Sequence, residues 1–204
     1  GTGGVGCSDV YQYRTRNLSN TWSAWTTYSS GANIATTAAM NRVEVQVQRA
    51  GCTAGTGCTG TAFSTIAAWD VTPQPIAPTL NAKTPNLAAI CEGQAVSATI
   101  NVGSGGVGCS DTYEYRRRTT ANAYEPWAAY VSASSIPTTG YNLVEIRVAR
   151  ENCTALSGCN STGYTTIASW TVNPQPSNPT LNVKTPNSAA VCDGQNVSAT
   201  INAG

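Results

Sequence analysis

The sequence predicts an all-β fold in which antiparallel strands form two packed sheets. Apolar and polar residues alternate with a period of two, which is typical of half-buried strands. In the stretch VSATINV the residues at every second position share one predicted face: Val96, Ala98, Ile100 and Val102. Clusters of Gly, Pro, Asn and Ser separate such stretches, and no stretch has helical spacing.

Internal repetition sets the number of these folded units. The segment from Pro78 to Asn101 recurs from Pro179 to Asn202 with five differences in 24 positions. Four other anchors, Cys52, Cys58, Trp69 and Cys91, recur 101 residues later at Cys153, Cys159, Trp170 and Cys192. Cys7 recurs at Cys109 after 102 residues. This period is the length of a domain and not of a short solenoid repeat.

Proline-rich linkers at 72–79 and 173–180 mark the predicted domain boundaries, because proline fixes φ and lacks a ladder donor. We expect residues 78–177, the second repeat, to form one complete sandwich. Residues 1–77, the first repeat, are expected to lack their opening strands. Residues 178–204, the terminal segment, are expected to supply such opening strands, so that the chain is a segment of a longer array.

Several strands in about 100 residues, separated by turn-forming clusters, favour an immunoglobulin-like sandwich. In that order the second repeat has strands A (79–84), B (95–103), C (111–118), C′ (127–133), F (142–150) and G (164–173). Strand F is predicted to point Val144, Ile146 and Val148 inward, with Glu145, Arg147 and Ala149 outward. Trp170 and its equivalent Trp69 have the inward parity of strand G and are predicted to be core residues.

The first repeat is predicted to contain strands C to G without A and B, which exposes one side of its core to water. The missing strands would come from a preceding copy of residues 178–204, either in the same longer chain or donated by a neighbouring subunit. A covalent array is favoured, because it requires only a longer chain whereas donation requires an assembly step.

All eight cysteines are disulfide candidates: Cys7, Cys52, Cys58, Cys91, Cys109, Cys153, Cys159 and Cys192. The predicted strand order brings Cys109, Cys153 and Cys159 to one end of the sandwich. Cys91 lies at the other end, roughly 25 Å away and too far for a bridge. A zinc site of four thiolates is not favoured, because the short spacing typical of such sites is absent.

Two disulfide arrangements remain open from spacing alone. In one, Cys91 bridges to the cysteine cluster of the neighbouring domain, which would staple an array at its joints. In the other, a local bridge joins Cys153 to Cys159, with Cys52 to Cys58 in the first repeat.

The residue types for catalysis are largely missing. The chain contains no histidine, which excludes Ser-His and Cys-His nucleophiles and histidine metal cages. The acids beside cysteines, Asp9, Asp111, Glu92 and Asp193, are interpreted as turn residues. The glycine-rich stretch at 103–108 has no helix or lysine after it and is interpreted as a flexible turn. We predict no enzyme, no cofactor and no metal site.

Aromatic residues near strand C′ are the best candidates for binding. Trp25, Trp127 and Tyr130 could present a stacking surface for a sugar ring, so surface glycans are candidate partners. Closing the end of a sandwich core is the favoured role, because tryptophans at sheet edges commonly do this.

Composition indicates an extracellular or cell-surface protein. Charged residues make up 10% of the chain and the net charge is +1, which provides no field to attract nucleic acid. The same charge provides no field to attract an anionic membrane, and we expect no membrane insertion. Four cysteines per period in a β-rich chain are typical of an oxidised, secreted protein.

Three stretches, VGCSDTYEYR, TTIASWTVNPQP and CDGQNVSATIN, carry a resemblance to a known family. Over both periods the chain resembles the tandem PKD-like or immunoglobulin-like repeats of giant surface adhesins in Bacteroidetes-type bacteria. The resemblance implies export by the type IX route, a place in a stalk or surface fibre, and no catalytic residues.

These observations predict a structural function. The chain is expected to be a non-catalytic part of an extracellular fibre or adhesin stalk, assembled head to tail with further copies of the repeat and stabilised by disulfides. Assembly as a filament is compatible with its low charge. The alternatives are a carbohydrate-binding module and an accessory domain of an extracellular enzyme.

Overall fold

The computed structural model describes residues 1–53, 59–154 and 159–204, and the predicted all-β fold is confirmed. None of the described residues lies in a helix. The first repeat contains β1 (Ser8–Asn17), β2 (Thr26–Thr27), β3 (Met40–Ala50) and β4 (Ser64–Asp70). The second contains β5 (Thr79–Thr84), β6 (Ala89–Cys91), β7 (Ser97–Asn101), β8 (Ser110–Thr119), β9 (Ala128–Ala129), β10 (Tyr141–Glu151) and β11 (Thr165–Asn173). The terminal segment contains β12 (Thr180–Thr185) and β13 (Ser198–Asn202).

Within the described ranges these strands form four sheets. The first repeat forms a sheet in the order β2-β1-β3-β4, and the second forms one in the order β6-β11-β10-β8-β9. The remaining two sheets are the pairs β5-β7 and β12-β13. Strand β3 pairs antiparallel with both β1 and β4, whereas β6 runs parallel to β11. Equivalent positions of the two repeats therefore form equivalent strands.

The core of the second repeat contains residues from both of its sheets. Val144, Ile146 and Trp170 are 0% exposed, which confirms their predicted inward orientation. Val96 and Ala98 pack against them, and Leu80 and Ile100 add partly buried contacts from β5 and β7. The alternation within each strand thus places one face of each sheet in a shared core, as a sandwich requires.

Some details of the predicted strands are wrong. Val102 is 78% exposed because β7 ends at Asn101, beyond which the alternation no longer applies. Ala149 is fully buried although its parity is outward, since it is a small side chain on the central strand β10. Predicted strand C′ (127–133) is reduced to the two residues of β9. Strand β6 was not predicted, because three residues are too few to show a period.

The described chain divides into two compact units. One comprises Gly1–Thr79, Asn101–Thr112 and Val148–Thr165, and the other comprises Leu80–Ile100, Tyr113–Arg147 and Thr166–Gly204. The boundaries expected from the proline-rich linkers, at 77/78 and 177/178, stay predictions.

Candidate functional site

The linker before β5 is bonded to the loop between β7 and β8. Ile76 and Ser104 exchange two backbone hydrogen bonds of 2.8 and 3.1 Å, and the N–H of Gly106 donates to the carbonyl of Pro73 at 2.8 Å. A Cβ at Gly103 would lie 2.6 Å from the carbonyl oxygen of Ile76, so only glycine permits this approach. The stretch expected to be a flexible turn is therefore a packed joint.

Two disulfides lie at equivalent positions of the repeats. Cys7 is bonded to Cys52, and Cys109 to Cys153. The local bridge from Cys153 to Cys159 is therefore wrong, and so is the one from Cys52 to Cys58, because Cys52 is already bonded. Cys58 itself lies outside the described residues.

The free thiols of the described chain are Cys91, Cys159 and Cys192. Cys91 and Cys192 are exposed, whereas Cys159 is 7% exposed with its Sγ 3.8 Å from the carbonyl oxygen of Thr72. A bridge from Cys91 to a neighbouring domain stays a prediction. The two disulfides that are formed are typical of a protein that matures in an oxidising compartment.

In the second repeat, three polar side chains, the polar anchors, form hydrogen bonds with the backbone of the opening segment, residues 78–101. The hydroxyl of Tyr130 accepts a hydrogen bond from the N–H of Ala98 at 2.8 Å. Thr138 Oγ1 donates to the carbonyl of Gln94 at 2.8 Å. Trp170 Nε1 donates to the carbonyl of Pro85 at 2.9 Å. These contacts tie the opening segment of the repeat across its core.

In the first repeat the equivalent anchors line an open groove of about 320 Å³. Its lining residues are Tyr28, Ala32, Asn33, Ile34, Thr36, Val43 and Trp69. The expectation that Trp69 is a core residue is wrong, because this side chain is 54% exposed. The predicted inward parity of Trp69 on its strand is right, but its side chain is not covered by residues equivalent to β5, β6 and β7.

The groove already has the local geometry of its covered equivalent. Tyr28 OH donates to the carbonyl of Ala32 at 2.9 Å, and Tyr130 OH lies 3.0 Å from the equivalent carbonyl of Ser134. Val43, at the base of the groove, is 2% exposed, like its fully buried equivalent Val144. The open face is therefore formed in advance of any occupant. The offsets of 101 and 102 residues relate each position of the first repeat to a position of the second. This relation could have identified Ile34 and Thr36 as groove residues from the sequence.

The terminal segment is an exposed hairpin. β12 pairs with β13 from Thr180↔Asn202 to Thr185↔Ser198. Every residue of 178–204 except Pro186 is exposed. The apolar residues Val191, Val197 and Ile201 are 44%, 66% and 67% exposed, although their equivalents Ile90, Val96 and Ile100 pack in the core of the second repeat.

The aromatic residues considered for sugar stacking have other contacts. Tyr130 is 5% exposed, so its ring has no open face for a sugar, and that part of the prediction is wrong. The Trp127 ring has the guanidinium groups of Arg116 and Arg147 at 4.4 and 4.0 Å from its centroid. Trp25 has Arg14 at 4.4 Å. Guanidinium stacking thus occupies area that a sugar would use. No sequence pattern had indicated these arginines.

The carboxylate of Glu125 is held by two hydrogen-bond donors. Tyr141 OH donates to Glu125 at 2.6 Å and Arg117 donates at 2.8 Å. The hydrogen bond from Tyr141 lowers the pKa of Glu125 below its ordinary value, against the opposing effect of desolvation, and the bond from Arg117 lowers it further. The geometry stabilises a carboxylate that stays ionised and does not create a general acid.

We expect the substitution Glu125→Gln to remove part of the acid sensitivity of stability. Because the folded pKa is depressed, the stabilisation is present above the unfolded pKa and is lost as pH falls through the folded pKa. At neutral pH the cost of the substitution is about 1 kcal/mol, given partial solvent exposure. Thermal unfolding from pH 7 to pH 3 measures this. Equal slopes for the variant and wild type over this range would contradict the role of Glu125.

Among the described residues, two kinds of feature are absent: groups of metal-binding side chains and helices that could cross a membrane. Within 1–53, 59–154 and 159–204, no three His, Cys, Asp or Glu side chains are grouped as metal ligands. The same residues contain no helix that is long and apolar enough to cross a membrane. No protein-family model matches the chain, and no curated protein is significantly similar to it.

Proposed function

We propose that this chain is a structural, non-catalytic segment of an extracellular fibre or adhesin stalk, in which repeats are joined head to tail. The proposal includes the place at the cell surface and the relation to PKD-like repeats of giant bacterial adhesins. Its task is to extend the protein and to resist unfolding.

The packed joint carries this proposal. Backbone hydrogen bonds between Ile76 and Ser104 restrict the linker, which also contains Pro73, Pro75 and Pro78. Gly106 approaches this linker closely, since a Cβ there would lie 2.9 Å from Pro75. A linker restricted by both proline and hydrogen bonds is a semi-rigid spacer. Such a joint suits a stalk, whereas a tether between independent modules needs no such contacts.

The disulfides also support a mechanical function. Cys109 and Cys153 close a loop at the end of the second repeat that carries the joint, with a sequence separation of 44. A Cβ at Gly106 would collide with the Sγ of Cys109, so disulfide and joint are packed together. Cross-linking at this end removes unfolded conformations and so opposes opening of the repeat.

Electron microscopy of the native material, with reducing and non-reducing gels of the same sample, tests the proposal. We expect continuous fibres with an axial repeat of about 40 Å per domain, from strand length plus linker. Discrete particles of one chain would contradict the stalk. Fibres that become single chains on reduction would assign the continuity to disulfides between subunits.

A glycan array separates the stalk from a carbohydrate-binding module. We expect no specific binding by the chain, and no difference between wild type and Trp127→Ala, because guanidinium groups already stack on this ring. Specific glycan binding that is lost in Trp127→Ala would favour the sugar-binding alternative. Ser161→Ala, an exposed polar substitution elsewhere, is the control variant.

A further inference from the structure

We propose that the open groove of the first repeat is a binding site for residues 178–204 of a second copy of this chain. The inference rests on the proposed head-to-tail assembly and adds its site, its partner segment and its register. The second repeat is the template for this contact, because there the equivalent segment already packs on the equivalent face.

The partner segment matches the template closely in sequence. Residues 179–202 and 78–101 differ at five of 24 positions. Three of these differences fall on positions that are exposed in the template. They are Ala82, Leu87 and Ala95, where the terminal segment has Val183, Ser188 and Asn196. At the buried position Ile90 the terminal segment has Val191, which is smaller by one methylene and is accommodated at little cost.

The polar anchors set the first part of the register. By equivalence with Tyr130, the hydroxyl of Tyr28 would bind the backbone of Ala199. By equivalence with Trp170, Nε1 of Trp69 would donate to the carbonyl of Pro186. Both anchor residues are in place in the first repeat and line its groove.

The covering strands set the second part of the register. In the template, Ile136 and Val96 exchange backbone hydrogen bonds of 2.8 and 3.1 Å, so Ile34 would pair with Val197 in the same way. Occupying the groove thus continues hydrogen-bonded sheet structure and buries apolar side chains on both partners, which is the mode of strand addition to a sheet.

The loop at the start of the chain extends the same interface. In the second repeat, Arg150 Nε donates to the carbonyl of Gly105 at 2.9 Å and holds the loop that receives the linker. In the first repeat, Arg49 Nε donates to the carbonyl of Gly3 at 2.8 Å, so the receiving loop has the same support. A Cβ at Gly3 would have no neighbour within 4 Å, whereas one at Gly105 would collide with the carbonyl of Gln74. The receiving loop of the first repeat thus has room for a linker.

The docked register also brings two free thiols together. Cys91 at the end of β6 pairs with Asn173 at the end of β11. The residue equivalent to Asn173 in the first repeat is Thr72, so Cys192 of the incoming chain would lie opposite Thr72. The carbonyl of Thr72 is 3.8 Å from the Sγ of Cys159. We infer a disulfide from Cys192 of the incoming chain to Cys159 of the receiving chain. The two thiols lose two protons and two electrons, which reduce one small disulfide oxidant, such as oxidised glutathione, to two thiols.

Contacts of this kind join chains head to tail. The groove and the hairpin are different surfaces of one molecule, so the contact is heterologous, and an open chain of copies leaves one groove and one hairpin free at its two ends. Each further copy adds in the same way. This property provides the decisive test.

The first experiment mixes two complementary variants of the full chain and measures mass by analytical ultracentrifugation. Ala199→Asp places a charge on the exposed hairpin, where the equivalent Ala98 is 1% exposed. Ile34→Asp places a charge in the groove. We expect each variant alone to lose association by at least about 100-fold, because each would bury an unpaired carboxylate. We expect the two together to form a dimer of one chain of each kind.

The control variant is Asn182→Asp, which adds the same charge to the hairpin at a position whose equivalent, Asn81, is exposed. We expect its association to stay within about threefold of wild type. Circular dichroism of Ala199→Asp should match wild type, since residue 199 is exposed in the free chain. If wild type stays monomeric at every attainable concentration, or if both single variants associate normally, the inference is overturned.

The second experiment tests the register with a C58S/C91S background, in which Cys159 and Cys192 are the remaining free thiols. Under oxidised glutathione we expect a ladder of multimers on a non-reducing gel, and a peptide linking Cys159 to Cys192 by mass spectrometry. Cys192→Ser in this background should abolish the ladder. A peptide that links Cys192 to Cys192 would show symmetric pairing and overturn the register.

The outcomes are separate from those of the proposed function. A wild-type chain that does not associate in these assays overturns the docking site and leaves the stalk to be judged by microscopy. Docking by purified chains without fibres in the native material supports the site and contradicts the stalk.

Discussion

Replacing Trp170 by alanine is expected to lower the free energy of unfolding of the second repeat by about 3–5 kcal/mol. The side chain is 0% exposed and donates a hydrogen bond of 2.9 Å to the carbonyl of Pro85. Its loss leaves a cavity in the core and an acceptor without its partner. Differential scanning calorimetry of the full chain, compared between variant and wild type, measures the effect.

The first repeat provides a matched control for this substitution. Trp69 occupies the equivalent strand position but is 54% exposed, so Trp69→Ala is expected to cost less than about 1 kcal/mol. The comparison must be made at concentrations where the chain is monomeric, since docking would bury Trp69. Equal destabilisation by the two substitutions would contradict the assignment of a closed core to the second repeat and an open one to the first.

Replacing both Cys109 and Cys153 by alanine is expected to destabilise the second repeat by about 2–5 kcal/mol. The bridge spans a sequence separation of 44, so its removal returns considerable entropy to the unfolded chain. Thermal unfolding of the double variant measures the loss. The equivalent pair, Cys7 and Cys52, has a separation of 45 and should show a similar cost in the first repeat.

The control for the disulfide variants is Cys91→Ala, since this thiol is free and exposed. We expect its unfolding temperature to match that of wild type in monomeric samples. A double variant at positions 109 and 153 that unfolds at the wild-type temperature would contradict the stabilising role of the bridge.

Repetition made the candidate site partly predictable from the sequence. The offset between repeats predicted that the first repeat lacks its opening strands and that its core is open on one side. Strand parity predicted the inward orientation of Val144 and Ile146, which are fully buried. Parity alone could not separate Trp69 from Trp170, because burial depends on whether a second sheet covers the strand.

The pairing of the cysteines required the tertiary structure. Spacing along the chain favoured no partner for Cys153, since a residue six positions away and one 44 positions away were both acceptable. Pairing of β-strands decides between them, because it sets the distance between Cα atoms that a disulfide requires. The stacking of Arg116 and Arg147 on Trp127 depends in the same way on neighbouring strands.

By itself the sequence determined the fold class, the repeat length and the identity of the segment that covers the core of the second repeat, because these follow from alternation and self-similarity along the chain. The tertiary structure decided which aromatic residues are buried, which cysteines are bonded and where the groove lies open. These properties depend on contacts between segments far apart in sequence, and the energies of such contacts leave no local pattern in the residues that make them.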